Sequence, residues 1–265
     1  MKRWPRWTAA LSLAAPCMMT IGAPLSPAIF PSGPTVPENL LRVELRLVQP
    51  LRSPPSMDKV RLIDQLGREI DDAFLDLPLL SADGKRVTLL LHPGRVKSGV
   101  GPNLRWGRAL KVGSVVTLSI DDFASAVHLR RTWQVTSRET TVPKPSDWTL
   151  DLPPAGSRAA LTVHLKKPVS STAESLIAVR GPDGARIDGA PLLADGETTW
   201  RFVPTSPWNP GQFALMTNPD MEDLAGNRAW APFEVSPSSR ADCDKGTVTP
   251  FEIRRRLSSE KRFGN

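Results

Sequence analysis

Strict alternation of apolar with charged residues over 41–47 (LRVELRL) is the clearest local signal in the chain. On a pleated strand it sends Leu41, Val43, Leu45 and Leu47 to one face and Arg42, Glu44 and Arg46 to the other. The segment therefore reads as a strand with its charges in solvent. Shorter apolar rows follow at 60–63, at Val87, Leu89 and Leu91 ahead of Pro93-Gly94, at Val116, Leu118 and Ile120, and at Trp133 and Val135. Ahead of them, residues 30–38 (FPSGPTVPE) read as an extended lead-in; between them, 97–107 read as an irregular loop and 121–129 as an irregular closure.

The polar, two-proline stretch 138–146 (RETTVPKPS) has no apolar period and reads as a linker. After it the pattern restarts. Residues 161–166 alternate like 41–47, and 177–188 (IAVRGPDGARID) match 60–71 (VRLIDQLGREID) as strand, Gly turn and return. Ala194-Asp195-Gly196 repeats Ala82-Asp83-Gly84, and Trp200 and Phe202 fall where Leu89 and Leu91 fell. Two copies of one all-β module, 38–137 and 147–236, account for most of the chain. Their size and turn rhythm predict two tandem Ig-like β-sandwich domains. The second copy is the more regular, its stretch 194–235 ending in an acidic loop, Gly226-Asn227 and a last strand.

The two ends differ in composition. Residues 1–28 read as an export signal, with Lys2, Arg3 and Arg6 ahead of an uncharged, largely apolar run and a cleavage site after Ala28. Lipidation of Cys17 is disfavoured by Pro16 before it, and removal of the signal leaves Cys243 as the single cysteine, so no intrachain disulfide is expected. From 237 to 265 the composition predicts a basic, disordered tail. That tail and the signal carry most of the net charge of +7. The body is near neutral and lacks the basic face that nucleic acid requires, while the tail suits an anionic surface.

The residues also resemble a known family, the bacterial Ig-like modules named after the SbsA surface-layer protein. The resemblance rests on Pro153-Pro154-Ala155-Gly156-Ser157-Arg158, Asp195-Gly196-Glu197-Thr198, Trp200-Arg201-Phe202-Val203-Pro204, Pro210-Gly211, and Leu224-Ala225-Gly226-Asn227-Arg228 followed by Pro232-Phe233-Glu234-Val235. It implies an exported bacterial protein, periplasmic or associated with the cell envelope, with a protein or envelope component as partner.

Candidate chemistry is sparse. The three histidines, His92, His128 and His164, show no zinc spacing, and His164 alternates outward. No serine lies in a nucleophile elbow and no glycine loop suits phosphate. An enzyme is not expected, nor is a cofactor. Asp220, Glu222, Asp223 and Asn227 offer oxygen ligands for calcium, against a reading in which they serve the turn's own backbone. Trp106, Trp208 and Trp230 lie in or beside loops and could present aromatic surface to a glycan or another ligand, against a reading in which they pack beneath those loops. The expected function is a non-enzymatic structural or interaction module, with ligand recognition by loop aromatics and calcium binding as alternatives.

Overall fold

The computed structural model describes residues 26–97, 101–121, 128–233 and 246–255. The signal through residue 25 with Cys17, the 122–127 part of the irregular closure, Cys243 and most of the tail lie outside the described residues. Within them the chain forms β1 (Ala28–Phe30), β2 (Thr35–Pro37), β3 (Arg42–Arg46), β4 (Val60–Asp64), β5 (Leu79–Leu80), β6 (Arg86–Leu90), β7 (Val115–Ile120) and β8 (Leu129–Thr136). A second series follows: β9 (Thr149–Asp151), β10 (Leu161–His164), β11 (Ile177–Arg180), β12 (Gly189–Ala194), β13 (Thr199–Pro204), β14 (Gly211–Thr217) and β15 (Thr247–Ile253).

The first eight strands build two sheets, β1-β3-β6-β5 and β2-β8-β7-β4. The next seven build β12-β13-β10-β9 and β11-β14-β15. With the strands of each unit lettered in chain order, these are the ABED and CFG sheets of an immunoglobulin sandwich. In the first unit the opening strand is shared. Its β1 half pairs antiparallel with β3, and its β2 half crosses to run parallel with β8. The protein is thus all-β, with two tandem Ig-like sandwiches.

Each sandwich has its own apolar core. Val43, Leu45, Val87, Leu89, Leu118, Ile120 and Trp133 centre the first; Leu161, Val163, Ile177, Val179, Trp200, Phe202, Trp208 and Phe213 centre the second. The alternating rows of the sequence supply nearly all of them, because on a strand every second side chain faces the opposing sheet. An aromatic file runs through the second core. Trp200 stacks on Phe202 at 5.6 Å between ring centroids, Phe202 meets Trp208, Trp208 meets Phe213 edge-on, and Phe213 stacks on Phe251.

Several expectations are corrected. The first sandwich begins at Ala28 rather than 38, since Ile29 and Val36 are buried in its core; strands this short and proline-rich show no alternation. Residues 97–107 are not a plain loop. Helix α1 (Pro93–Val96) precedes them and helix α2 (Gly101–Trp106) lies within them, and the His92 ring caps α1 by accepting from the Gly94 amide at 3.0 Å. The last strand expected up to Val235 runs past Phe233 and out of the described residues. Residues 222–231 close on themselves through the bridges Glu222–Arg228 and Arg228–Ala231. The seventh strand is β15, drawn from the predicted tail, and it sets Phe251 and Ile253 into the core opposite Phe213 and Gly211.

Two unpaired edges carry a proline inside the strand, Pro191 in β12 and Pro250 in β15. Proline fits only where its missing N–H would face away from the neighbouring strand. Accordingly Leu193, two residues past Pro191 and so on the same side, sends its N–H outward to the Glu174 carboxylate at 2.9 Å.

Candidate functional site

The charged face of β3 is largely turned away from solvent. Glu44 is only 2% exposed, and all three charges are taken up by the second sandwich, chiefly by residues 170–176 leading through helix α3 (Ala173–Leu176). Arg46 donates to both Glu174 oxygens at 3.0 Å and to the Ser171 carbonyl at 3.2 Å, and its guanidinium lies 4.4 Å from the Phe30 ring centroid. The Ser171 hydroxyl donates to Glu44. Arg42 pairs with Glu222 and donates to the Ser170 hydroxyl at 3.2 Å. Burial pushes the Arg42 guanidinium below its ordinary value, and nearby Glu44 works against that shift. Charges at such a joint are tolerated because each has a partner; an unpaired one would cost several kcal/mol (~3–5).

A second contact lies at the start of the first sandwich. The Ser32 amide and hydroxyl both donate to Glu197, which is 1% exposed and held at φ +61° in the turn after Asp195-Gly196. Burial raises the Glu197 carboxyl above its ordinary value even though the Ser32 bonds, Arg131 and Arg46 favour the charged form. Gly33 and Gly196 touch backbone to backbone here. A Cβ on Gly196 would come within 2.9 Å of the Gly33 Cα.

The third contact engages the linker and the acidic loop. Lys167 reaches Asp223 at 2.8 Å, Glu139 at 3.1 Å and the Thr141 carbonyl at 2.6 Å. Asn39 exchanges two 2.9 Å bonds with the Glu139 backbone, to which Asn227 also donates. Burial would raise the Glu139 carboxyl, but the Thr141 hydroxyl and amide and Lys167 together hold it low. Leu41 donates its amide to the Leu224 carbonyl at 3.1 Å, and Leu224 packs on the first core. Gly226 (φ +77°) lets this happen, since a Cβ there would meet Leu41 Cδ1 at 2.2 Å. The stretch 138–146 is therefore part of a joint rather than a free tether.

The predicted calcium ligands fall into this joint. Asp223 accepts from the Ala225 and Asn227 amides at 2.9 and 3.0 Å and from the Asn227 side chain at 3.0 Å, in addition to Lys167. Glu222 pairs with Arg42, and Asp220, exposed, pairs with Arg228 at 3.0 Å. Asn227 accepts from the Phe233 amide. The four residues are brought together, with their oxygens turned to amides and cations. Among the described residues no group of three or more His, Cys, Asp or Glu is arranged to hold a metal ion.

The three tryptophans are not brought together. Trp208 is 2% exposed and donates to the Ala159 carbonyl at 2.8 Å, so it is core and not ligand surface. It roofs one cavity of about 410 Å³ with Pro182, Pro207 and Pro210. Trp230 is half-buried, donates to the Pro219 carbonyl at 3.0 Å and lies under Arg228. Trp106, on α2, is 49% exposed and lines a separate cavity of about 410 Å³ with Arg68, Asp72 and Arg95. His164 bonds Asp151 at 2.8 Å and His128 bonds Asp121 at 3.2 Å, both on the surface. Sequence reasoning missed Glu44, Lys167, Glu174 and Glu197. The one available signal was the fully charged outward face over 41–47.

No family model matches the sequence, and no curated protein matches it. Among solved structures, a chimeric titin Z1Z2 functionalized with an exogenous KLER peptide from decorin is 12% identical, covering 88% of this chain and 98% of that one at a TM-score of 0.27. Drosophila OTK extracellular domains 3–5 are 8% identical, covering 84% of this chain and 58% of that one at a TM-score of 0.21. The fold assignment rests on strand order rather than on these likenesses.

Proposed function

We propose that the protein is an exported, non-enzymatic interaction module of the bacterial cell envelope, of the SbsA-type Ig-like kind, in which two sandwiches act as one body. The observation that carries this reading is the joint itself. The outward charges of β3 bind the neighbouring domain, which fixes the direction of one sandwich relative to the other. A fixed pair presents loops and sheet faces at set separations, as a spacer or docking scaffold requires. The buried carboxylates Glu44, Glu197 and Asp223 and half-buried Glu174 are held in structural contacts of this joint. Cell fractionation followed by pull-down from the envelope fraction tests it. Recovery in the cytoplasm, or turnover of a substrate by the purified chain, would sink it.

A second reading, ligand recognition by loop aromatics, is favoured only at Trp106, whose exposed ring borders an open depression lined by charged residues such as Arg68, Asp72 and Arg95. Titration of glycans against Trp106 fluorescence, with Trp106→Phe as control, decides it. Absence of any Trp106-dependent change across a broad array removes this reading.

A further inference from the structure

The outer face of the β11-β14-β15 sheet breaks the rule that an outward face is polar. In the register of these strands half-buried Ala178 and Met216 with Val248 form one outward row, and Arg180, Ala214 and Pro250 form the next, Ala214 lying buried between its two neighbours. Gln212 and Glu252 complete the face one step further along. Val248 is 50% exposed, and Pro250 is exposed beside it. The apolar centre thus has a cation on the β11 side and an anion on the β15 side.

We infer that this face binds a second copy of the chain, sheet on sheet, about a two-fold axis parallel to β14. Such an axis lays β11 of one copy over β15 of the other. Val248 then meets the small Ala178 of the second copy, the two Met216 side chains meet at the centre, and the two Ala214 residues allow close approach. Arg180 lies over Pro250 of the second copy and one pleat step, about 7 Å, from its Glu252, within reach of a long side chain. The symmetry forms this ion pair twice. A face carrying opposite charges on opposite flanks is complementary to itself in this orientation, as an isologous contact demands. In the single chain Glu252 pairs with Arg254, which is 82% exposed, an arrangement that is cheap to exchange.

Sedimentation velocity of the chain over its soluble concentration range tests the inference. The wild type is expected to show a concentration-dependent monomer–dimer equilibrium. Val248→Lys is expected to raise the dissociation constant about tenfold or more, as loss of a central apolar contact does. Arg180→Glu and Glu252→Arg should each weaken the dimer, and the double exchange should restore it. Thermal melts unchanged from wild type show that the variants fold. A wild type that stays monomeric throughout, a Val248→Lys variant that dimerises normally, or a double exchange that fails to restore association would each overturn the proposal.

Discussion

Arg46 and Glu174 lie on different sandwiches, and the arginine meets both oxygens of the carboxylate at 3.0 Å. Their side chains are 20% and 21% exposed, so water screens the pair only in part. Glu174 also accepts the Leu193 amide at 2.9 Å, which ties the joint to an edge strand of the second sandwich. Replacing Arg46 by Ala should cost roughly 1–3 kcal/mol, the penalty of leaving the carboxylate short of its donor. Urea denaturation measures it, and X-ray scattering should show a broader distribution of interdomain distances than in wild type.

Asp223 anchors the acidic loop, with its side chain 1% exposed against Lys167. Asp223→Ala should destabilise by roughly 1–3 kcal/mol, because it leaves two loop amides without an acceptor and Lys167 with Glu139 as its one remaining carboxylate. Since the same oxygens are already engaged, calcium added to the wild type should leave the melting temperature unchanged. A rise that saturates with calcium would restore the metal reading.

Glu197 and Glu139 respond to pH in opposite senses. The folded-state value of Glu197 is raised, so its contribution is full below the unfolded carboxyl value of about 4.3 and is lost as pH rises through the raised value. Glu139 is depressed, so its contribution is present above about 4.3 and lost as pH falls through its lowered value. Glu197→Gln keeps an acceptor for Ser32 and removes the buried charge. It should therefore raise the melting temperature at neutral pH, with the gain shrinking as the wild type is acidified. A gain that does not depend on pH would contradict this assignment.

Trp208 and Trp106 should separate cleanly. Trp208→Ala removes a core ring between Phe202 and Phe213 and should cost roughly 3–5 kcal/mol. Trp106→Ala, on an exposed helix face, should stay within about 0.5 kcal/mol. Chemical denaturation of both variants checks the pair.

Strand β15 makes part of the basic tail indispensable. Deleting residues 247–265 removes Phe251 and Ile253 from the second core and uncovers β14, so the second sandwich should lose its cooperative melt. Deleting only 256–265 should leave that melt intact and is the proper variant for asking whether the tail binds anionic membranes, with vesicle flotation as the readout.

Period-two alternation exposed most of the strands, because burial on one face is a property of every second residue. What it reports is the side a residue faces and not what lies there. Arg42, Glu44 and Arg46 were legible as an outward row, yet water and a second domain are both polar surroundings, so their partners were not. Thr247–Ile253 escaped detection because Pro250 and a basic setting mask a short alternation. For Trp208 the sequence carried both an exposed and a packed reading, since a loop position says nothing about which way an indole folds; the packed one holds. Ser32 and Glu197 lie far apart along the chain, and only the folded topology brings them together.

Pro191 and Pro250 bear on how the molecule behaves when crowded. An open sheet edge is a template on which further strands can polymerise into fibres. With a donor missing from each of these rims, and Glu174 occupying the next donor past Pro191, neither edge can template a continuous ladder. Copies that meet through a sheet face instead would stop at two, leaving a soluble particle of finite size where an unguarded edge would grow without limit.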